Sequence, residues 1–191
     1  TGEGNDVISL TTNGLIGDIT INSGAGIDAI SIGTDTDMGN LTLDTGTGAD
    51  AVTVTSQSIE NVDIQATDTL TLDLKALGSI QDVTLVTGEG DDDLTVTATG
   101  SMGHVNFNVT NGDNKIYLVA GVDHATNFTL GTDIQSLTIN SGSGYDVITA
   151  KTGAVDNDVE VNTGSSANLN IDQVVFYATG GVGYVIMTSA Y

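Results

Sequence analysis

A six-residue frame recurs along this chain at a near-constant interval, and that recurrence limits the fold more than any other feature. The clear copies are Thr1-Gly2-Glu3-Gly4-Asn5-Asp6, Ser23-Gly24-Ala25-Gly26-Ile27-Asp28, Thr45-Gly46-Thr47-Gly48-Ala49-Asp50, Thr87-Gly88-Glu89-Gly90-Asp91-Asp92 and Ser141-Gly142-Ser143-Gly144-Tyr145-Asp146. They start about 22 residues, or close to a multiple of it, apart, once one coil about ten residues longer is allowed for. Degenerate copies sit at 110–114 and 163–168, and a shortened turn at 66–68 fills the early gap. A repeat of this length cannot bury an apolar face alone, so it must stack on its neighbours.

The segments around each turn say what is stacked. Before it run triplets such as Ile19-Thr20-Ile21, Leu41-Thr42-Leu43 and Val83-Thr84-Leu85; after it run Ile30-Ser31-Ile32, Val52-Thr53-Val54 and Leu94-Thr95-Val96. Apolar–polar–apolar alternation rich in β-branched residues is the pattern of a half-buried strand. A third inward column precedes the first strand: Ile16, Met38, Ile59, Ile80, Met102, Ile134 and Val155. Three inward columns per repeat predict an all-β chain, a β-solenoid of the parallel β-helix or β-roll kind. Roughly eight coils of about 22 residues are expected, with right-handed crossovers. Proline is absent, as expected where every strand donates to the coil beside it. The solenoid should cover 1–173, with a long loop at about 120–133. Residues 174–191 should form a terminal coil, cap or assembly segment that has lost its Asp. Outward columns are expected at Ser9, Ser31, Thr53, Thr71, Thr95 and Thr149, and an amide-rich ladder at Asn22, Asp44, Gln65, Asn108, Asn140 and Asn162.

Charge narrows the partners. The 25 acidic residues face only three basic ones, Lys75, Lys115 and Lys151, for a net charge of −22. Without arginine or clustered lysine the chain has no means to grip nucleic acid or an anionic membrane surface. It has no cysteine, which excludes disulfides and thiolate chemistry, and no apolar run near the ~18 residues of a membrane span. The opening Thr1-Gly2-Glu3-Gly4 is turn chemistry rather than a leader, as in a mature piece or an excised fragment.

Stacking the turns sets Asp6, Asp28, Asp50, Asp92, Asn114, Asp146 and Asn168 in one column, thickened by Glu89, Asp91, Asp93 and Asp113. Carboxylates ~5 Å apart repel by about 0.8 kcal/mol in water and roughly 3 kcal/mol at an effective dielectric of 20. With so few lysines the counter-charge must come from solution. Ca²⁺ suits such a site, because it takes six to eight oxygen ligands and accepts carboxylates together with carbonyls that alternate glycines could turn inward. The alternative is that each Asp caps its turn by accepting nearby N–H groups and stays solvated.

The run Gly-x-Gly-x-Asp-x-apolar resembles the repeats-in-toxin, or haemolysin-type, calcium-binding nonapeptide, with Thr or Ser in place of its first Gly. The resemblance implies Ca²⁺ held between coils by Asp6, Asp28, Asp50, Asp92 and Asp146. Carbonyls of the turns at Gly2 and Gly4, Gly24 and Gly26, Gly46 and Gly48, Gly88 and Gly90, and Gly142 and Gly144 would complete the site. It also implies secretion and calcium-driven folding. That family runs its nonapeptides back to back with metal on both edges, whereas this chain has one such turn per longer coil. The chain is similar, too, to the β-strand repeats of large bacterial surface and matrix proteins.

These features point to a non-enzymatic, calcium-stabilised structural or adhesive module of an extracellular bacterial surface, matrix or filament protein. Its partners would be a glycan or cell-surface ligand, or further copies stacked through the solenoid ends. A carbohydrate-active β-helix is the rival reading, weakened by the missing arginine and by carboxylates that follow the repeat period. His104 precedes a first strand, and His124 of the Asp123-His124 pair, in the long loop with no nucleophile in view, is read as a surface residue. An ice-binding threonine face ranks lower, because Asp63, Asp73, Tyr117 and Lys151 interrupt it.

Overall fold

A computed structural model describes residues 1–121, 133–164 and 172–189. The chain is an all-β solenoid of about eight coils with a spacing of about 22 residues. Each coil gives one strand to each of two eight-stranded parallel sheets. One sheet runs in spatial order through Val7–Thr12, Ala29–Thr34, Asp50–Ser56, Leu70–Ala76, Asp93–Ala98, Lys115–Ala120, Val147–Thr152 and Gln173–Ala178. The other runs through Ile19–Asn22, Leu41–Gly46, Ile59–Ala66, Ile80–Val86, Met102–Asn108, Ile134–Asn140, Val159–Thr163 and Val185–Ser189. A two-stranded pair, Gly2–Glu3 with Gly24–Ala25, begins the turn edge.

Alternation puts every second side chain into the space between the sheets. Leu41, Leu43, Val52, Val54, Val83, Leu85, Leu94 and Val96 are all buried there. The third column closes the cross-section as predicted: Ile16 bridges Met38, Met38 bridges Ile59, and the row continues through Ile80, Met102 and Ile134 to Val155. Like residues therefore stack on like along the rod, and no apolar layer depends on a single coil.

Two sequence expectations need correction. The coil after the shortened turn pairs Val52 with Leu72 and Thr53 with Asp73, so Asp73 rather than Thr71 stands in the outward Ser/Thr column. The shortening removes two residues, and Asp50 thereby comes to face Leu70. The amide ladder is broken: Gln65 pairs with Val86, so hydrogen bonds survive only toward the ends, from Asn22 Nδ2 to Asp44 Oδ2 at 2.9 Å and from Asn162 Nδ2 to Asn140 Oδ1 at 2.8 Å. Residues 174–189 continue the stack, adding a strand to each sheet. Register partners across the predicted insertion lie 32 rather than 22 residues apart. Its residues 122–132, with Asp123 and His124, lie outside the described residues, as does Asn168.

The core prediction is direct. Leu85→Ala, which empties a fully buried position stacked between Ile64 and Phe107, should cost about 2–5 kcal/mol in urea denaturation. Thr84→Ala on the outer face of the same strand should stay within about 0.5 kcal/mol.

Candidate metal centre at the acidic turn

The aspartates that close the turns point into the rod. Asp28, Asp50, Asp92, Asn114 and Asp146 are all at most 2% exposed. Where the chain turns, a strand N–H no longer meets a carbonyl of the next coil, and a side-chain oxygen takes that place. Asp6 N donates to Asp28 Oδ1 at 2.8 Å and Asp28 N to Asp50 Oδ1 at 2.9 Å. Leu70 N donates to Asp92 Oδ1 at 2.7 Å, Asp92 N to Asn114 Oδ1 at 3.0 Å, and Asn114 N to Asp146 Oδ1 at 3.1 Å. The last rung runs from Asp146 N to Asp172 Oδ1 at 3.1 Å. The final coil has therefore kept its acid, at Asp172. Leu70 takes the column's place in the short coil, and the N–H of Asp50 turns to the Thr69 carbonyl instead.

The second carboxylate oxygen has its own partner in several turns. Thr87 Oγ1 donates to Asp92 Oδ2 at 2.5 Å and Ser141 Oγ to Asp146 Oδ2 at 2.8 Å; the single Thr1 Oγ1 proton lies within reach of both Asp6 Oδ2 and the Ser23 carbonyl. The residue five places before the Asp, read from sequence as a lost glycine, is thus a hydroxyl donor. The degenerate turn solves the same problem differently. Val109 N donates to Asn140 O just as Thr87 N donates to Asn108 O, so Val109 stands in that first place with no hydroxyl. Asn114 fills the column there, and its Nδ2 donates to the Gly112 and Ser141 carbonyls, both at 3.1 Å. Two turns are less complete. Ser23 Oγ donates to the Thr45 carbonyl at 3.1 Å, leaving Asp28 Oδ2 buried without a partner. Thr45 Oγ1 stands beside the Asp50 carboxylate without completing a well-formed hydrogen bond to it.

The remaining predicted ligands do not join this column. Glu89, Asp91 and Asp113 are exposed. Asp91 Oδ1 accepts from Asp113 N at 2.9 Å, and Asp113 Oδ1 from Tyr145 N at 2.8 Å. The glycine carbonyls run along the rod axis instead of converging: a Cβ on Gly26 would lie 2.1 Å from the Gly4 oxygen, and one on Gly46 only 1.6 Å from the Gly24 oxygen. Among the described residues no group of three or more His, Cys, Asp or Glu side chains is placed to hold a metal ion. The donor set therefore does not fit the calcium site that the resemblance implies: the column's oxygens face inward and most are already engaged.

Outside the column, His104 Nδ1 lies 2.7 Å from Ser136 Oγ on the next coil. Asp82 Oδ1 accepts from the His104 backbone N–H at 2.7 Å and not from the ring, so it does not orient the imidazole as a catalytic acid would. At the opposite corner of the cross-section lies an open groove of about 1080 Å³. Its walls include Gly39, Ser58, Ser79 and Ser101, with the carboxylates Asp18, Asp37, Glu60, Asp133 and Asp156; among the described residues no aromatic or basic side chain lines it.

The chain matches no family model, no curated protein and no solved structure.

Two predictions follow from this geometry. Gly46 has φ +78 and no room for a Cβ, so Gly46→Ala should lower unfolding stability by more than about 2 kcal/mol. Gly33, in open space at ordinary φ within a strand, should accept alanine with a change of less than about 1 kcal/mol. Burial raises the carboxyls of Asp92 and Asp146 above the usual aspartate value, against the partial relief given by the Thr87 and Ser141 hydroxyls and the adjoining N–H groups. The folded state thus holds these protons more tightly than the unfolded chain does. Their contribution is complete below the unfolded value of 3.8 and is lost as pH rises through the raised folded values. Thermal melts should accordingly show a midpoint that falls from acid toward neutral pH. Asp146→Asn should make that dependence shallower.

Proposed function

We propose that this chain is a non-enzymatic structural module: a stiff rod that serves as a spacer or adhesive repeat in an extracellular bacterial surface or matrix assembly and continues end to end. The observation that carries this reading is the periodicity of the polar groups. Carboxylates, hydroxyls and glycines recur coil after coil as rungs of one ladder, where a catalytic site requires one coil to differ from the rest. The extracellular setting rests on the resemblance to secreted repeat proteins and to bacterial surface repeats.

The two ends support continuation. Val7–Thr12 and Ile19–Asn22 are the last strands of their sheets at one end, and Gln173–Ala178 and Val185–Ser189 at the other. Large apolar side chains are uncovered there, including Val7 and Leu15 at one end and Tyr184, Val185 and Met187 at the other. Val185 and Met187 occupy inward positions, in register with the buried Val159 and Val161, and lack only a further coil above them. Stacking another copy would extend both sheets and cover these residues. The acidic groove favours a second reading, an elongated glycan laid along the rod, which is compatible with an adhesive role.

Small-angle scattering and electron microscopy over a concentration series test the proposal. Rods with an axial rise near 4.8 Å per coil, lengthening by end-to-end association, are the expected result. Replacing Val185 and Met187 by lysine should cap the association without altering the circular dichroism of the rod. Turnover of a polysaccharide panel, read as new reducing ends or unsaturated uronates, would refute the non-enzymatic reading.

A further inference from the structure

We infer that the acidic turn of this chain is a metal-independent form of the motif, in which a hydroxyl five residues before the aspartate, together with an N–H of the preceding coil, takes the place of a cation. The inference goes beyond the proposed module and departs from what the sequence resemblance implies. A buried carboxylate needs its charge met by donors or by an ion. In the Asp92 turn one oxygen accepts the Leu70 N–H and the other the Thr87 hydroxyl; in the Asp146 turn they accept the Asn114 N–H and the Ser141 hydroxyl. Both oxygens of each carboxylate are thus met by a donor of the chain itself.

The exception supports the rule. Val109, which cannot donate, is accompanied by Asn114, the one amide among the described column members, and that amide brings its own donor. First place and column place therefore behave as one chemical unit, hydroxyl with carboxylate or apolar with amide. A calcium site would have no use for this pairing, since replacing its carboxylate by an amide would simply weaken it. At Asp28 and Asp50 the hydroxyl-bearing residues Ser23 and Thr45 are present in the first place, and rotation of those hydroxyls toward the carboxylates would complete the same unit.

The test is a pair of measurements on the full chain. First, thermal melts are recorded with a strong chelator and with millimolar calcium. Superimposable curves are expected. A midpoint that rises with calcium by more than about 3 °C, and loses that rise in Asp28→Asn/Asp50→Asn, would overturn the inference by locating an ion at the two incomplete turns. Second, Thr87→Val should lower the midpoint by roughly 5 °C, because it leaves Asp92 Oδ2 buried and unpaired. Adding Asp92→Asn should restore most of that loss, by rebuilding the Val109–Asn114 pair one coil earlier with the Gly90 and Val109 carbonyls as acceptors. A double variant no more stable than Thr87→Val would show that hydroxyl and carboxylate are not a unit, and would also overturn the proposal.

Discussion

The structure depends on hydrogen bonding between coils along the rod axis, and its difficult places are the corners. Along the strands the backbone solves the problem itself, since parallel neighbours in register present N–H to carbonyl. Where the chain bends, that match fails, and an unpaired buried N–H is costly. This protein meets it with short acceptors. On the inner side of the glycine turn the aspartate of the following coil accepts; on the outer side the acceptor comes from the preceding coil, as when Asn5 Oδ1 takes the Ile27 N–H at 2.9 Å. At the opposite corner Asp18 Oδ1 takes the Asn40 N–H at 2.9 Å, and Asp158 Oδ1 the Tyr184 N–H at 3.0 Å. Asp and Asn reach one coil and no further, which is why these corners favour them over Glu and Gln. Much of the acidic excess is thus a consequence of the corners.

That account changes the meaning of the net charge. Read as composition, 25 acids against three lysines call for counter-ions from solution. In the fold, part of the charge is withdrawn from water and held by N–H groups and hydroxyls whose partial charges are fixed in place, and the rest lies on exposed faces where salt screens it. On the inferred pairing, donors of the chain itself stand where the inner column would otherwise call for a specific cation, and diffuse screening serves the outer faces.

The strand columns were legible in the sequence because the alternation and the repeat period are both directly visible, and stacking turns a period into a contact. The third column from Ile16 to Val155 could be written down from spacing alone. What the sequence hid was register wherever a coil changes length. Leu70-Thr71-Leu72 and Leu72-Asp73-Leu74 alternate equally well, and only pairing against Val52 and Leu94 selects the second. The same ambiguity concealed Asp172, which lies 26 rather than 22 residues beyond Asp146. The hydroxyl at the first place was visible in all five copies. Its role was not, because comparison with a glycine-first motif makes a Thr look like a loss when geometry makes it a donor.

The interruptions of the column have a physical reason of their own. In spatial order it reads Asp6, Asp28, Asp50, Leu70, Asp92, Asn114, Asp146, Asp172. Neighbouring carboxylates one coil apart repel by about 3 kcal/mol at an effective dielectric of 20, and the penalty grows with every acid added to an unbroken run. Leu70 and Asn114 cut the row so that no more than three acids stand together. Leu70 does so by giving up the side-chain acceptor altogether, its place for the Asp50 N–H being taken by the Thr69 carbonyl; Asn114 does so while keeping both functions of the rung. A buried acidic ladder that carries neutral rungs limits its own repulsion internally, and such rungs are dispensable in a column neutralised by an ion at every turn.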